Sequence, residues 1–368
     1  MLGYLITPDP TPFANDQCIE LGTQKPGFST TMLLLRKNQE ISRANLIKTM
    51  IWGKPGDYRA IPINHYRFEG PYIVVEGFAN HSGAPIVTSS FNLVDVVYSL
   101  SNDTNQRKVM NETILFIDYK GQLQHESIPA LRQRILKNNI IKRTYLLGTD
   151  RFGRDLLSQL MIGTRVSLSV GLISVLISLV IGIFIGALGG FFRGWIDTIV
   201  VWFINVVWSI PTLLLVIAIT FALGKGFWQV FVAVGLTMWV EVARVVRGQI
   251  LIIREKEFVE AGRALGYSNL RIIFNHILPN IMGIVIVISA ANFASAILME
   301  AGLSFLGIGV QPPMPSWGSM IKENYGYIVL DSAYLAILPG IAIMLMVLAF
   351  MLMGNALRDA LDVKTSEF

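Results

Sequence analysis

The chain has 368 residues, of which 53% are hydrophobic and 15% are charged, and its mean hydropathy is +0.54. Soluble proteins carry about 25% charged residues, so this composition excludes an ordinary soluble enzyme and indicates a membrane protein. The net charge of +5 is small and scattered, which does not predict nucleic-acid binding. The single cysteine, Cys18, excludes an intrachain disulfide framework and a metal site built from several cysteines.

Charge divides the chain into two regions. Residues 1–163 contain 18 Lys and Arg and 14 Asp and Glu, whereas residues 164–368 contain 12 and 11. The first region therefore predicts a domain in water and the second a domain in the membrane. Residues 1–6 lack the basic start and the long apolar core of a signal peptide. We interpret them as the last turn of a transmembrane helix that precedes them; the alternatives are an artefactual start site or an N-terminal domain that stays inside.

Residues 7–147 predict a strand-rich domain of mixed α and β structure outside the membrane. Residues 113–125 have the pattern of a hairpin with Gly121 at its turn, and residues 31–35 and 72–78 are further candidate strands. Residues 128–138 predict a short amphipathic helix. We find no pattern in this region that is typical of a catalytic or metal site.

Residues 148–155 have the sequence Gly-Thr-Asp-Arg-Phe-Gly-Arg-Asp, which superficially resembles a phosphate-binding loop. The similarity fails at Arg154 and Asp155, where a phosphate-binding loop needs Lys followed by Ser or Thr. We expect Thr149 or Asp150 to cap a helix instead. The apolar residues that follow predict an amphipathic helix over 148–163 that lies on the membrane surface.

Five apolar segments predict transmembrane helices at about 166–192, 198–223, 226–243, 280–305 and 334–357. Most of them exceed the ~20 residues with which a helix crosses a bilayer. Pro211 predicts a kink in the second segment. Small residues recur every fourth position in the first segment, which predicts close helix packing on one face: Ser174, Ser178, Gly182, Gly186 and Gly190.

Basic residues orient these helices. The connection at 248–279, together with its flanks, carries more Lys and Arg than the opposite side, which predicts that it is cytoplasmic. The same rule makes the tail at 358–368 cytoplasmic and places residues 7–147 outside.

Two carboxylates lie at membrane depth, Glu241 and Glu300. Such groups are costly in a membrane and mark bundle interiors or pathways. Arg244 and Arg247 follow Glu241 on its helix, so we expect a local ion pair there. Glu300 has no local basic partner and is the better candidate for a role in translocation or partner contact. An ion-coupled transporter that uses Glu300 is therefore a competing function.

The cytoplasmic connection predicts two helices separated by a glycine. Phe258, Ala261 and Leu265 fall on one helical face, and Gly266 can end that helix. A second apolar face follows, and Pro279 starts the next span. A simple loop between two spans does not need such a compact knob outside the membrane.

This connection resembles the EAA motif of permease subunits in ABC importers. Glu260, Ala261, Gly266, Leu278 and Pro279 match the family pattern, whereas Gly262 replaces its third Ala and His276 stands where many importers have Ile. Further similarity to the C-type permeases of oligopeptide and dipeptide importers, including nickel and glutathione relatives, covers residues 145–363. It is carried by the motifs at 148–155, 243–248, 300–307, 310–318 and 357–362.

The resemblance implies a type I ABC importer permease fold, an all-α polytopic membrane bundle with the strand-rich N-terminal region outside. Family members have six helices with both ends cytoplasmic, of which this sequence would contain five. The family residues that couple the permease to an ATPase correspond here to Glu260, Ala261, Gly262, Gly266, His276, Leu278 and Pro279.

The resemblance also implies the partners. Two cytoplasmic ATPase subunits would bind ATP and magnesium and perform the hydrolysis, while this chain would bind no cofactor or metal and catalyse no reaction. A second, homologous permease would complete the pore in the lipid of a bacterial inner membrane, and an extracytoplasmic solute-binding protein would deliver the solute. Peptides are the expected solute, with nickel, glutathione or another small solute as alternatives. No nucleic acid is expected.

Overall fold

A computed structural model describes residues 3–39, 45–79, 87–100, 107–224 and 226–362. The chain forms two compact units. The first comprises residues 1–162 together with 329–335, and the second comprises residues 163–328 together with 336–368. Each unit has its own apolar core.

The first unit contains two antiparallel sheets. One has five strands in the order β4-β3-β2-β1-β8 and the other has three in the order β5-β6-β7. In β1 the neighbours Met32 and Leu33 are both buried, in two separate apolar clusters, since successive side chains of a strand point to opposite faces. The strands are β1 (Phe28–Arg36), β2 (Tyr58–Glu69), β3 (Tyr72–Gly77), β4 (Thr88–Asn92), β5 (Lys108–Met110), β6 (Thr113–Ile117), β7 (Leu123–Ser127) and β8 (Ile140–Tyr145).

Among the residues that the structure describes, four short α-helices accompany these sheets. The helix over 128–138 starts where Ser127 Oγ accepts a hydrogen bond from the Ala130 backbone N at 3.4 Å. Leu131 and Ile135 lie four residues apart on one of its faces and are buried in the core. The helices are α1 (Gly3–Ile6), α2 (Leu46–Trp52), α3 (Leu93–Val97) and α4 (Ile128–Asn138).

The segment at 148–155 forms a closed loop that ends in a long helix. The Asp150 carboxylate accepts hydrogen bonds from the backbone N of Phe152 and from the backbone N and side-chain Nε of Arg154. Asp155 Oδ2 accepts from the backbone N of Ser158 at 2.8 Å and from its hydroxyl at 2.5 Å. The Asp155 bonds cap helix α5 (Leu156–Phe192), so the cap is Asp155 and not Thr149 or Asp150 as predicted, and the helix continues without a break into the membrane segment. The prediction of a separate surface helix over 148–163 is therefore wrong.

The remaining helices are mostly apolar. Four helical segments of the described residues are long and apolar enough to cross a membrane: Leu156–Phe192, Phe227–Ile253, Asn269–Phe305 and Tyr334–Ala360. Together with the strand-rich N-terminal region, they confirm the predicted fold class. The helices that follow α5 are α6 (Gly194–Trp208), α7 (Thr212–Leu223), α8 (Phe227–Ile253), α9 (Glu257–Ala264), α10 (Asn269–Arg271), α11 (Leu278–Phe305), α12 (Trp317–Asn324) and α13 (Tyr334–Asp362).

The predicted single span over 198–223 is two helices. Helices α6 and α7 meet at an angle of 89°, and they count as a fifth crossing if the bent pair is one span. Pro211 stands at the break, as the residue before α7. Proline has no backbone N–H and its ring clashes with the preceding turn, so the effect here is a break rather than the predicted kink.

The stripe of small residues on α5 lies along a close helix crossing. A side chain on Gly182 would overlap Val242 of α8, and one on Gly186 would overlap Val246. Ser174 Oγ donates a hydrogen bond to the Phe231 backbone O at 3.1 Å. The small side chains therefore let the two helix backbones approach each other. The stripe consists of Ser174, Ser178, Gly182, Gly186 and Gly190, and both of its serines are fully buried.

Candidate functional site

Helix α9 is the first half of the segment at 257–279, for which a coupling role is predicted. Val259 and Gly262 form its buried face, whereas Glu260 and Ala261 are exposed. The helix ends at a glycine in the left-handed region, Gly266, with φ of +76°. Such a conformation favours glycine because it has no side chain to clash with the backbone.

Two backbone hydrogen bonds close this helix end. The Gly266 N donates to the Arg263 O at 2.9 Å, and the Tyr267 N donates to the Gly262 O at 3.0 Å. This pair of bonds is the Schellman arrangement, which satisfies the last carbonyl groups of a helix. Helix α9 therefore ends before Gly266, as the sequence predicts.

The second half of the segment leads into the next membrane helix. Ser268 Oγ accepts from the Arg271 backbone N at 3.4 Å and caps α10. A wide helical turn, Ile272–Ile277, follows and continues into α11, where Leu278 and Pro279 are the first two residues. Proline has no backbone N–H to donate to the preceding turn, and Pro279 stands where the wide turn passes into α11.

One side of the segment is packed and the other is open. Three isoleucines, Ile272, Ile273 and Ile277, are buried in one apolar cluster with Val246 and Ile250 of α8. The other side presents four large apolar side chains, which we call the exposed apolar set: Phe258 (43% exposed), Leu265 (70%), Leu270 (66%) and Phe274 (62%).

The structure divides the apolar residues of this segment between a buried side and an exposed side, and the predicted face of Phe258 and Leu265 is the exposed one in α9. In α9 the buried positions are Val259 and Gly262, and in the second half they are the isoleucines. Large exposed apolar groups are costly in water at about 25 cal/mol per Å². In a segment outside the membrane they are typical of a surface that binds another protein.

Aromatic stacking joins the two halves of the segment. The His276 ring lies parallel to the Tyr267 ring, with centroids 5.7 Å apart and an interplanar angle of 10°. The Arg271 guanidinium lies 4.2 Å from the centroid of the same Tyr267 ring. His276 is half-buried, so it holds the segment together and presents less surface than Glu260 or Ala261. No pattern in the sequence indicates this role of Tyr267.

Ionic contacts fix the start of the segment. Arg247 makes two hydrogen bonds to Asp197, at 2.5 and 2.7 Å. Arg193 pairs with Glu255 at 2.8 Å, and the Arg254 guanidinium donates to the Phe191 backbone O. Burial, and then the charges of Arg193 and Arg263, lower the pKa of Arg254. The Arg247–Asp197 pair was not predicted, because 50 residues separate its members.

Glu241 does not form the predicted ion pair. Arg247 is bound to Asp197, and the Arg244 guanidinium lies 3.0 Å from the centroid of the Trp208 ring. Glu241 is exposed and lines a cavity of about 150 Å³ beside the break between α6 and α7. Polar side chains of Thr212, Thr237 and Ser295 also line this cavity.

Glu300 is fully buried. Its Oε1 accepts a hydrogen bond from Ser304 Oγ at 2.6 Å, and Ser304 Oγ in turn accepts from the Val310 backbone N at 3.2 Å. Its Oε2 has no hydrogen-bond partner among the described residues. In this conformation the Glu300 side chain is not accessible to a solute or a partner, so the structure does not support the predicted role, which stays a prediction. Its contacts instead anchor the turn that follows α11.

Within the described ranges, no group of three or more His, Cys, Asp or Glu side chains is arranged to hold a metal ion. The two features that remain for function are the segment at 257–279 and the cavity at Glu241.

Similar proteins were found by sequence and by structure. The profile of a family described as "Binding-protein-dependent transport system inner membrane component" matches residues 168–367. The glutathione transport system permease protein GsiD of Pectobacterium atrosepticum is 41% identical over 218 residues, which are 59% of this chain and 72% of that protein. The dipeptide transport system permease protein DppC of Alkalihalophilus pseudofirmus is 40% identical over 217 residues, which are 59% and 71%. A chain of the inward-facing MetNI methionine ABC transporter is 22% identical with a TM-score of 0.44, covering 55% of this chain and 96% of that chain.

Proposed function

Because the chain belongs to the family of binding-protein-dependent transport system inner membrane components, we propose that ATP-driven partners move its helices through the segment at 257–279. The chain is the permease subunit in the membrane. Two ATPase subunits would bind ATP and magnesium and would dock on this segment from the cytoplasm. A second permease would form the other half of the pore, and a solute-binding protein would deliver the solute from outside.

The observation that carries this proposal is the exposed apolar set. These side chains extend from a segment whose opposite side is packed against α8. A force applied to the exposed side is therefore transmitted to the membrane helices through rigid contacts. ATP-driven closure of two ATPases would bring two such segments together and switch the pore between its inward and outward openings. Glu260 and Ala261 are exposed beside this set, where they are accessible to an ATPase.

We propose peptides as the solute. The two relatives are named for dipeptide and for glutathione, and both solutes are short peptides. Nickel or another small solute is the alternative. Transport of radiolabelled di- and tripeptides into proteoliposomes that contain the whole complex tests this proposal. ATP-dependent uptake of nickel alone would contradict it.

We also assign a solute contact to Glu241 and not to Glu300. The Glu241 carboxylate lines the cavity beside Pro211, where the broken helix leaves polar side chains accessible. A carboxylate there suits the ammonium group of a peptide. Glu241→Gln should lower peptide uptake while the complex assembles normally. Unchanged uptake and unchanged KM would remove Glu241 from the pathway.

The docking of the ATPase is tested with two matched glycine variants. Gly266 and Gly121 have φ values of +76° and +78°, and no atom lies within 4 Å of a Cβ built on either. Asp at either position therefore brings the same backbone strain, about 1–2 kcal/mol. Gly266→Asp should insert into the membrane and lose the ATPases in a mild-detergent pull-down, whereas Gly121→Asp should retain them. If ATPase binding and solute-stimulated ATP hydrolysis survive Gly266→Asp, the docking assignment is wrong.

The same reconstituted complex separates this function from ion-coupled transport. An importer of the proposed kind requires ATP and is indifferent to proton and sodium gradients. Uptake by this chain alone, driven by an ion gradient, would favour the competing class.

A further inference from the structure

Helix α2 carries large apolar side chains that the first unit leaves exposed. Leu46, Ile47 and Trp52 are 70%, 66% and 64% exposed, and none of the seven residues of α2 is buried. Most helical stability in proteins comes from packing of an apolar face, which α2 lacks within this unit. Helix α1 packs beside α2 and adds Leu5 and Ile6, which are 46% and 63% exposed. We call these five residues the α1–α2 patch.

Helix α1 is attached to the first turns of α5. Tyr4 and Ile162 are buried in one small apolar cluster, where they are 4% and 2% exposed. The Asp9 backbone N donates a hydrogen bond to Ser158 Oγ at 2.9 Å. Both contacts lie within the first unit, and they join α1 and the segment after it to the beginning of the first membrane-crossing helix.

Helix α2 contacts the same region, at Tyr4 and Pro10. The Lys54 backbone N, just beyond α2, donates to the Pro10 O at 2.8 Å. Gly53, at the end of α2, lies so close that a side chain there would overlap Pro10 and the Tyr4 ring. The Tyr4 hydroxyl in turn accepts from the Phe13 backbone N at 3.0 Å. The position of α2 relative to the start of α5 is therefore fixed by direct contacts.

The depth of the first turns of α5 relative to the bilayer follows from the position of its charged residues. Arg165 is the last charged residue before the run without charge at 166–192, so the hydrocarbon region begins near residue 166. At 1.5 Å per residue, Ile162 lies about 6 Å before this point and Ser158 about 12 Å. The headgroup region of a bilayer is about 5–8 Å thick on each side. The contacts of Tyr4 and Asp9 therefore lie at or just beyond headgroup depth.

We propose that the α1–α2 patch is inserted in the headgroup region of the bilayer, so that lipid covers the apolar face of α2. Trp is enriched at this depth, and an apolar helix with a basic residue, here Lys48, is typical of a segment that lies in the interface. The strand-rich first unit is thereby held against the membrane on the side where α5 begins. This inference depends on α5 crossing the bilayer and not on the solute or on the ATPases.

A fluorophore at α2 tests the proposal. Ile47→Cys is labelled with the polarity-sensitive dye NBD in the full chain, in nanodiscs of phosphatidylcholine and phosphatidylglycerol with or without doxyl-labelled lipid. Burial, and then the charge of Glu20, raise the pKa of the native Cys18 thiol to about 12, so Cys18 has little reactive thiolate at neutral pH. Leu123→Cys is the matched control, because Leu123 is 71% exposed on β7 of the same unit. Leu46→Cys provides a second position on α2 if Ile47→Cys does not fold.

The expected result is a blue-shifted emission at Ile47→Cys, strong quenching by doxyl lipid and little quenching by aqueous iodide. Leu123→Cys should show the opposite pattern. Equal iodide quenching at both positions, without an effect of doxyl lipid, would overturn the proposal. It would also be overturned if the emission at Ile47→Cys shifts only after addition of a solute-binding protein, because protein would then cover α2.

Discussion

The two ends of helix α11 differ in burial: residues of this chain bury polar groups at one end, and large apolar side chains are exposed at the other. At its C-terminal end, the chain buries Glu300 and bonds one of its two carboxylate oxygens: Oε1 accepts from Ser304 Oγ, which in turn accepts from the Val310 backbone N. At its N-terminal end, the chain leaves Leu270 and Phe274 exposed just before the helix begins. The C-terminal end is buried by residues of this chain. The N-terminal end has an exposed apolar surface, which the proposed ATPase would cover.

This difference separates positioning from docking. A polar group in a membrane protein suggests function by its cost, yet Glu300 is used to hold a turn. The apolar residues at 258–274 look like ordinary core residues in the sequence, yet four of them are exposed. Burial, rather than residue type, therefore distinguishes the two ends, and substitutions at each end should fail in different ways.

The largest effect is expected at the C-terminal end. Glu300→Ala removes the acceptor of Ser304 and leaves a cavity, so we expect a loss of about 2–3 kcal/mol of stability. Glu300→Gln keeps an acceptor for Ser304 and should cost about 1 kcal/mol or less. Thermal unfolding of the purified complex measures both variants. If Glu300→Gln is stable but inactive in transport, the charge itself has a role and the positioning assignment is wrong.

A smaller effect, of a different kind, is expected at the N-terminal end. Leu265→Ser should leave the thermal stability of this chain unchanged, because Leu265 is 70% exposed. It should weaken ATPase binding about tenfold, as loss of an apolar contact at a protein interface does. Leu123→Ser, at an equally exposed leucine of the first unit, is the control and should bind normally. Equal ATPase affinity of both variants would mean that the exposed apolar set is not the docking surface.

Local patterns predicted much of this fold. Helix α4 is predicted at its observed limits from its amphipathic pattern, in which the buried Leu131 and Ile135 repeat at helical spacing. The stripe from Ser174 to Gly190 has the regular spacing of close packing, and the helix on which it packs is α8. In both cases the deciding contacts follow from side-chain size and period, which are visible in the sequence.

Other features depend on distant contacts and could not be predicted. Hydrogen bonds of Asp150 close the loop at 148–155, and Asp155 caps α5. The helical part of the expected surface helix is therefore the beginning of α5. Arg247 pairs with Asp197, which lies 50 residues away in the sequence, and not with Glu241. Which face of α9 is exposed depends on where α8 lies, and the amphipathic pattern of α9 alone does not decide it. The Glu-Ala-Gly pattern at 260–262 and the glycine at 266 nevertheless located the segment, because both are local features of the sequence.

The smallest effect is expected on the packed side of the segment before the N-terminal end of α11. Gly262 is buried in α9, and a Cβ built on it would lie 3.4 Å from Tyr267 Cδ2, an ordinary van der Waals distance. Alanine in a helix interior is more favourable than glycine by about 1 kcal/mol, so Gly262→Ala should raise the stability of this segment by up to that amount. Slower backbone amide exchange over 257–265, with unchanged ATPase binding, is the expected result. Loss of ATPase binding by Gly262→Ala would show that the buried face also takes part in docking, because the added methyl group does not reach the exposed apolar set.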